Sequence, residues 1–310
     1  MNQRMAVGVG FGALAGALWG LVFLAPNLTS GFSPFEISAG RYLAYGVMAA
    51  ALIAPRWNLV RARLSRADWL ALVWLSLSGN IVYYIFLAGA VQLSGPAPAA
   101  LIVGLLPVVI SLIGSREEGA VSALRLAPSL LLAVTGVSLI SLASLTRGGV
   151  QASWQSLALG LACAAGALAC WSAFAVGNAR RMARLPHVSS HDWSLLLGVV
   201  TGAGALLMTP AFMLSPHVHE TRDWLGLVMV SSAIALLASV AGNALWNSAS
   251  RRLPLTMTGQ MVIFETLFAL LYAFMWEQRL PSLLEVGAIA ALGTAVLWCV
   301  SSHRMPRPHE

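Results

Sequence analysis

Residues 68–73 read Asp68-Trp69-Leu70-Ala71-Leu72-Val73, and residues 223–228 read Asp223-Trp224-Leu225-Gly226-Leu227-Val228. Five of these six positions are identical at an offset of 155 residues. A second pair stands at an offset of 152: Ala17-Leu18-Trp19-Gly20 and Ala169-Cys170-Trp171-Ser172. Two matches at nearly one offset, each at the same place in a series of apolar stretches, indicate an internal duplication.

Those stretches set the fold class. The 310-residue chain is 58% hydrophobic and 9% charged, with a mean hydropathy of +0.79. Soluble domains carry about a quarter of their residues charged, so most of this surface faces lipid. About 20 apolar residues cross a hydrocarbon core of about 30 Å as a helix. Ten segments meet that length: Met5–Ala25, Pro34–Ala54, Trp69–Leu93, Pro96–Gly114, Ala123–Leu145, Leu157–Ala179, Trp193–Leu214, Leu225–Ala249, Leu255–Trp276 and Leu283–Ser301. Backbone polar groups in lipid must be satisfied within the segment, so the spans are helices. The basic start at Arg4 and the following apolar run read as the first span rather than as a cleaved leader, because many spans follow.

The basic residues are all arginine. Without a lysine there is no Walker A phosphate loop and no Schiff base to a retinal or pyridoxal group. The net charge of +7 is explained by short loops between apolar spans, so nucleic acid is not an expected partner. With the N-terminus inside, the inner loops hold Arg4, Arg56, Arg61, Arg63, Arg66, Arg116, Arg125, Arg180, Arg181, Arg184, Arg251, Arg252, Arg304 and Arg307. The outer loops hold Arg147, Arg222 and Arg279. The positive-inside bias thus predicts cytoplasmic N- and C-termini and an even number of spans. Trp57, Trp69, Trp154, Trp193, Trp224 and Trp276 lie near span ends, as an interfacial belt would place them.

Two similar halves of five spans each must insert upside down relative to one another. The expected architecture is therefore an all-α integral membrane protein, ten transmembrane helices forming two inverted five-helix repeats around a central cavity. The first repeat covers 1–147, the second 153–303, and 304–310 is a cytoplasmic tail. Inverted repeats are characteristic of secondary transporters, which bind substrate near the midplane and alternate access.

The tryptophan-bearing first span of each half, the Ser38-Ala39-Gly40-Arg41-Tyr42 segment and the duplicated five-helix unit resemble the EamA-type drug/metabolite transporter superfamily, over essentially the whole chain. Within it the chain looks most like the aromatic amino-acid exporters of the YddG type. The resemblance implies a basket of ten helices in a bacterial inner membrane that exports aromatic and other neutral amino acids. The alternatives are export of cationic drugs, of other metabolites such as nucleotide-sugars and, last, a membrane-embedded enzyme. No cofactor is implied; a monomer is compatible with the pattern.

Candidate site residues follow from helical spacing. Asn80, Tyr83 and Tyr84 share one face of the third span; Asn243, Trp246 and Asn247 share one face of the eighth. Amides facing lipid are costly, so both faces should look inward, either to a cavity or to neighbouring helices. Trp19 and Trp171 line the cavity or fill the core. Gln260 and Thr258 precede Glu265 in the ninth span, where the carboxylate is a candidate proton site or ammonium contact, or a bonded structural group. Arg41, deep in the second span, either binds a substrate carboxylate or pins helices, with the structural role favoured; Glu36 could partly compensate it. Pro96, Pro98 and Pro107 kink the fourth span and could form a hinge or a fixed bend. Small residues at Gly8, Gly12, Gly16 and Gly20, and at Ala165, Ala169, Ala173 and Gly177, form ridges for close helix approach. Cys163, Cys170 and Cys299 read as apolar packing, and His187, His191, His217 and His219 lack metal-site support. Glu285 reads as interfacial.

Overall fold

The computed structural model describes residues 3–29, 31–94, 96–117, 120–145, 153–209 and 220–303. Arg147, His217, His219, Arg304, Arg307 and the expected tail 304–310 lie outside the described residues. All secondary structure among those described is helical. We number the helices α1 (Gln3–Leu24), α2 (Phe35–Arg61), α3 (Arg66–Ser94), α4 (Pro96–Val103), α5 (Leu106–Gly114), α6 (Ala123–Leu145), α7 (Trp154–Ala183), α8 (Ser190–Leu206), α9 (Thr221–Ser250), α10 (Leu255–Met261), α11 (Ile263–Glu277) and α12 (Leu283–Ser302).

Among the described residues, eight stretches are long and apolar enough to cross a membrane: α1, α2, α3, α6, α7, α9, α10 with α11, and α12. Of the two other expected spans, the seventh is described as the 17-residue α8, residues 210–214 of its expected range lying outside the described residues, and the fourth is divided into α4 and α5. The division falls at Gly104-Leu105, where Gly104 abuts Val137 of α6 and leaves no room for a Cβ. Pro107 then stands in the first turn of α5, where its missing N–H costs nothing. Pro96 and Pro98 open α4 rather than interrupt it.

Side-chain caps define where the helices begin. Ser33 accepts from the Glu36 N–H while Glu36 accepts from the Ser33 N–H, and Ser65–Asp68 and Ser282–Glu285 repeat that reciprocal arrangement. Each cap contributes roughly 1 kcal/mol. The expected pairing of Glu36 with Arg41 gives way to this role: one carboxylate oxygen of Glu36 accepts from both the backbone and the hydroxyl of Ser33. Glu285, in the first turn of α12 at the span's end, is buried beneath Arg279. That carboxylate holds the Arg279 guanidinium well above its ordinary pKa.

The principal packings join α2 to α8, α6 to α12, α5 to α10, α3 to α7, and α1 to α9 and α11. Close approach uses glycine. Gly8, Gly12, Gly16 and Gly20 face Leu253, Met261, Phe264 and Ala269 so tightly that a Cβ on any of them would stand 2.9 Å or less from its neighbour. The corresponding ridge expected on α7 packs this way only at Gly177, where a Cβ would stand 2.5 Å from Trp74; Ala165 and Ala169 are exposed. The face that packs is Gly160, Ala164, Ala167 and Trp171. In a helix apolar all round, four-residue spacing of small groups does not distinguish the lipid face from the core face. Trp193 also departs from the expected interfacial belt. It is fully buried, and its indole N–H donates to Asn178 Oδ1 at 2.8 Å. Exposed apolar residues such as Leu70, Leu124, Leu131 and Leu297 complete a surface suited to lipid.

Candidate functional site

Helices α1, α2, α3 and α9 enclose a cavity at the end of the bundle away from the N-terminus. Val22, Ala25, Ile37, Ser38, Arg41, Tyr84, Val230, Ser231 and Ile234 line it. The volume open to the centre of a water-sized sphere is about 40 Å³, room for a few waters and too little for an amino acid. In this conformation the site holds a head group at most.

Its polar wall comes from α2 and α9. Arg41 Nε donates to Ser239 Oγ at 3.0 Å, and the guanidinium carbon lies 5.5 Å from the Tyr42 ring centroid. No described carboxylate is within ion-pair distance of Arg41. Ser231 Oγ, also on the wall, is buried without a hydrogen-bond partner.

Towards the N-terminal end the bundle is plugged by aromatic rings. Trp19, Trp171 and Trp246 form a triangle with centroid separations of 5.1, 5.7 and 6.1 Å, and Phe174 stacks beside Trp171 at 5.9 Å. The Trp19 indole N–H donates to Ala238 O at 3.0 Å. The matched tryptophans therefore meet each other in the middle of the bundle instead of lining the cavity. Beyond them, ion pairs and carbonyl contacts tie the N-terminal end: Arg181 with Asp68, Arg56 with Asp192, Arg63 with His187 O and Arg4 with Arg251 O.

Of the two expected polar faces, Tyr84 reaches the cavity wall and Tyr83 packs partly buried against the core. Asn80 donates to Thr201 Oγ1 at 3.2 Å, and Asn243 donates to Tyr45 Oη at 3.4 Å. Asn247 is enclosed in a bonded chain: it accepts from Asn178 Nδ2 and donates to Ser194 Oγ, both at 2.7 Å. Trp246 is buried in the aromatic triangle. Gln260 is fully buried; its Nε2 donates to Ser111 Oγ, while its Oε1 has no partner. Glu265 is half-buried, interacts electrostatically with Arg41 and Tyr83, and has its backbone against Gly16. Thr258 does not share a regular helical face with it, because the helix is interrupted at Val262 and the Thr258 hydroxyl bonds to Pro254 O. Among the described residues no cluster of three His, Cys, Asp or Glu could hold a metal.

Sequence reasoning named Ser38 and Tyr42 only as part of the segment around Arg41, and passed over Ser231, Ser239, Tyr45 and Thr201. It also passed over two π-helical segments, Leu77–Ile81 in α3 and Ala235–Gly242 in α9. One contains Asn80 and the other ends just before Asn243. Such widened turns often mark functional sites, and Ser239, the partner of Arg41, sits within the second. Glycine at 79 and 242 near an amide was the available signal.

A multi-pass helical membrane bundle with an internal cavity of apolar walls and one polar corner belongs to the transporter class of architectures. No protein-family model matches the chain. It is 34% identical over 313 residues to "Inner membrane protein YtfF" of Escherichia coli (strain K12), covering 96% of this chain and 95% of that protein. It is 27% identical over 234 residues to "Aromatic amino acid exporter YddG" of Ancylobacter novellus, covering 74% and 75%. A solved crystal structure with 21% identity superposes at a TM-score of 0.77 over 96% of this chain and 98% of its own, sharing the fold. The chain belongs to the EamA-type drug/metabolite transporter superfamily.

Proposed function

We propose that this protein is a secondary transporter that exports aromatic and other neutral amino acids, and related small amphiphiles, across the inner membrane by alternating access. Its ten helices would form two inverted halves, residues 1–147 and 153–303, with both termini in the cytoplasm. The arginine distribution supports that orientation.

The observation that carries the reading is an exchange pattern in the packing. Counting α4 with α5, and α10 with α11, as single spans, each half has five. Advancing every span by five maps the α2–α8, α6–α12 and α5–α10 pairings onto themselves, and turns α1–α9 into α7–α3. Local features follow the same rule. The third and eighth spans both contain a π segment, and the fourth and ninth are both divided. Asn80 of the third span donates to Thr201 of the seventh, and Asn243 of the eighth donates to Tyr45 of the second. A cavity open at one end and closed by rings and ion pairs at the other is one of the two states that alternating access requires.

The aromatic relative supports amino acids as cargo, as do the apolar walls and Tyr84 around a polar corner. Purified protein in liposomes loaded with labelled tryptophan or phenylalanine tests the reading. Efflux above protein-free vesicles is expected; folded protein that moves neither compound excludes it. A second reading, export of cationic compounds, is favoured by Glu265, whose carboxylate accepts no hydrogen bond from the described residues. Efflux of a lipophilic cation in place of the amino acids would select it.

A further inference from the structure

Arg41 is placed as a binding group and not only as a helix pin. A guanidinium carries five donors in a planar fork suited to a carboxylate. Here Ser239 takes only the Nε–H, leaving the fork's end, formed by the two terminal nitrogens, without a described protein acceptor and open to the cavity. A charge inside a membrane protein is costly unless paired, and no described carboxylate lies within ion-pair distance of it, Glu265 acting on it only from further off.

Ser231 supplies the second, independent observation. It lies on the same wall, is 3% exposed, and its hydroxyl has neither a donor nor an acceptor among the described residues. A buried unsatisfied hydroxyl is destabilising unless a ligand completes it. It packs against Gly40, the residue before Arg41 on α2: a Cβ on Gly40 would stand 2.8 Å from Ser231 Oγ. Of the other wall residues, Val22, Ala25, Ile37, Val230 and Ile234 are apolar, and Ser38 and Tyr84 add two hydroxyls but no charge.

We infer that Arg41 and Ser231 form the carboxylate subsite of the substrate cavity, so that the cargo is defined by a carboxylate and not by its ammonium group. This deepens the amino-acid export reading and rests on it. The two terminal nitrogens of Arg41 take the carboxylate oxygens, and the Ser231 hydroxyl donates a further hydrogen bond. The side chain of the cargo then occupies space made when Tyr84 or the tryptophan triangle moves, because the present volume accepts little more than the head group.

Binding of tryptophan, of indole-3-propionate, which lacks the ammonium, and of tryptamine, which lacks the carboxylate, tests the inference on purified full-length protein. Tryptophan and indole-3-propionate should bind roughly tenfold or more tightly than tryptamine, as a charge-assisted pair predicts. Arg41→Gln should abolish that preference while leaving tryptamine within about twofold, and Ser231→Ala should weaken both carboxylates by roughly threefold. If Arg41→Gln does not fold, the wild-type preference and Ser231→Ala decide by themselves. Wild-type protein that binds tryptamine as well as tryptophan overturns the subsite, as does an Arg41→Gln protein with unchanged tryptophan affinity; both leave amino-acid export standing. Wild-type protein that binds none of the three overturns both readings.

Discussion

Gly46 and Gly202 meet backbone to backbone where α2 crosses α8. A Cβ on Gly46 would stand 2.6 Å from the Gly202 Cα, and one on Gly202 would stand 2.4 Å from the Gly46 Cα. No side chain can yield there, since each obstacle is main chain. Tyr45 and Thr201, the residues before these glycines, bond to Asn243 and Asn80 respectively. The crossing therefore sets the positions of both amide-bearing helices. Gly46→Ala or Gly202→Ala should destabilise the bundle by roughly 1–3 kcal/mol as overpacking, and Gly10→Ala, where a Cβ meets nothing within 4 Å, should not. Thermal melting of the three purified variants checks this; equal melting of Gly46→Ala and Gly10→Ala would contradict it.

Asp68 caps α3 and at the same time accepts from Arg181 of α7 at 3.0 Å. This pair belongs to the ties that hold the N-terminal end shut. Arg181→Gln leaves the cap in place but removes the charge-assisted bond across the helices, worth roughly 1.5–3 kcal/mol. Opening of that end should become easier. A cysteine placed at Ser172, beside the tryptophan triangle, should then react faster with a membrane-impermeant thiol reagent from the side of the N-terminus. An unchanged labelling rate would mean that the pair does not restrain access.

Much of the fold was legible because bilayer length and the internal repeat leave plain marks; the helix caps, which sequence reasoning did not use, are marks of the same kind. Ser33, Ser65 and Ser282 each stand three residues before an acid, and each begins a helix. The matched Asp68 and Asp223 segments likewise open the same kind of helix. What was not legible depended on which side of an apolar helix touches protein. Ala165 and Ala164 are adjacent and chemically identical, yet one is exposed and the other buried, because lipid and core are equally apolar solvents for a methyl group. Trp193 was misread for the same reason: its complete burial and its bond to Asn178, neither visible in the sequence, separate it from an interfacial tryptophan. In the candidate site, Arg41 and Tyr84 stood out by residue type, whereas Ser231 did not. A serine in a membrane helix ordinarily bonds to its own preceding turn, as Ser248 does to Ala244 O, and only the surrounding structure shows that Ser231 lacks a partner.

Asn178, Trp193, Asn247 and Ser194 form one buried chain joining α7, α8 and α9. Replacing Asn247 with Leu leaves the Asn178 amide without its acceptor and the Ser194 hydroxyl without its donor. A loss of roughly 1–3 kcal/mol per stranded group is expected. Trp193→Phe removes only one donor and should cost less. Chemical denaturation in detergent compares them, and an Asn247→Leu protein as stable as wild type would show that the chain is dispensable.

His303 closes α12 at the N-terminal end of the bundle, its Nδ1 2.7 Å from Cys299 O and its Nε2 2.7 Å from the Thr256 hydroxyl. The carbonyl can only accept, so Nδ1 carries the proton and a neutral ring accepts at Nε2 from Thr256. Burial lowers the pKa of His303, partly opposed by the hydrogen bond to Cys299. A folded pKa below the unfolded value of about 6.5 means that the unfolded chain binds the proton more readily. The contribution of this residue is therefore present above that pH and is lost as the pH falls through the folded value. Wild-type protein should melt at a lower temperature at pH 5 than at pH 8, and His303→Gln, which cannot titrate, should show a smaller difference. If the two proteins lose stability equally on acidification, the histidine does not account for the slope.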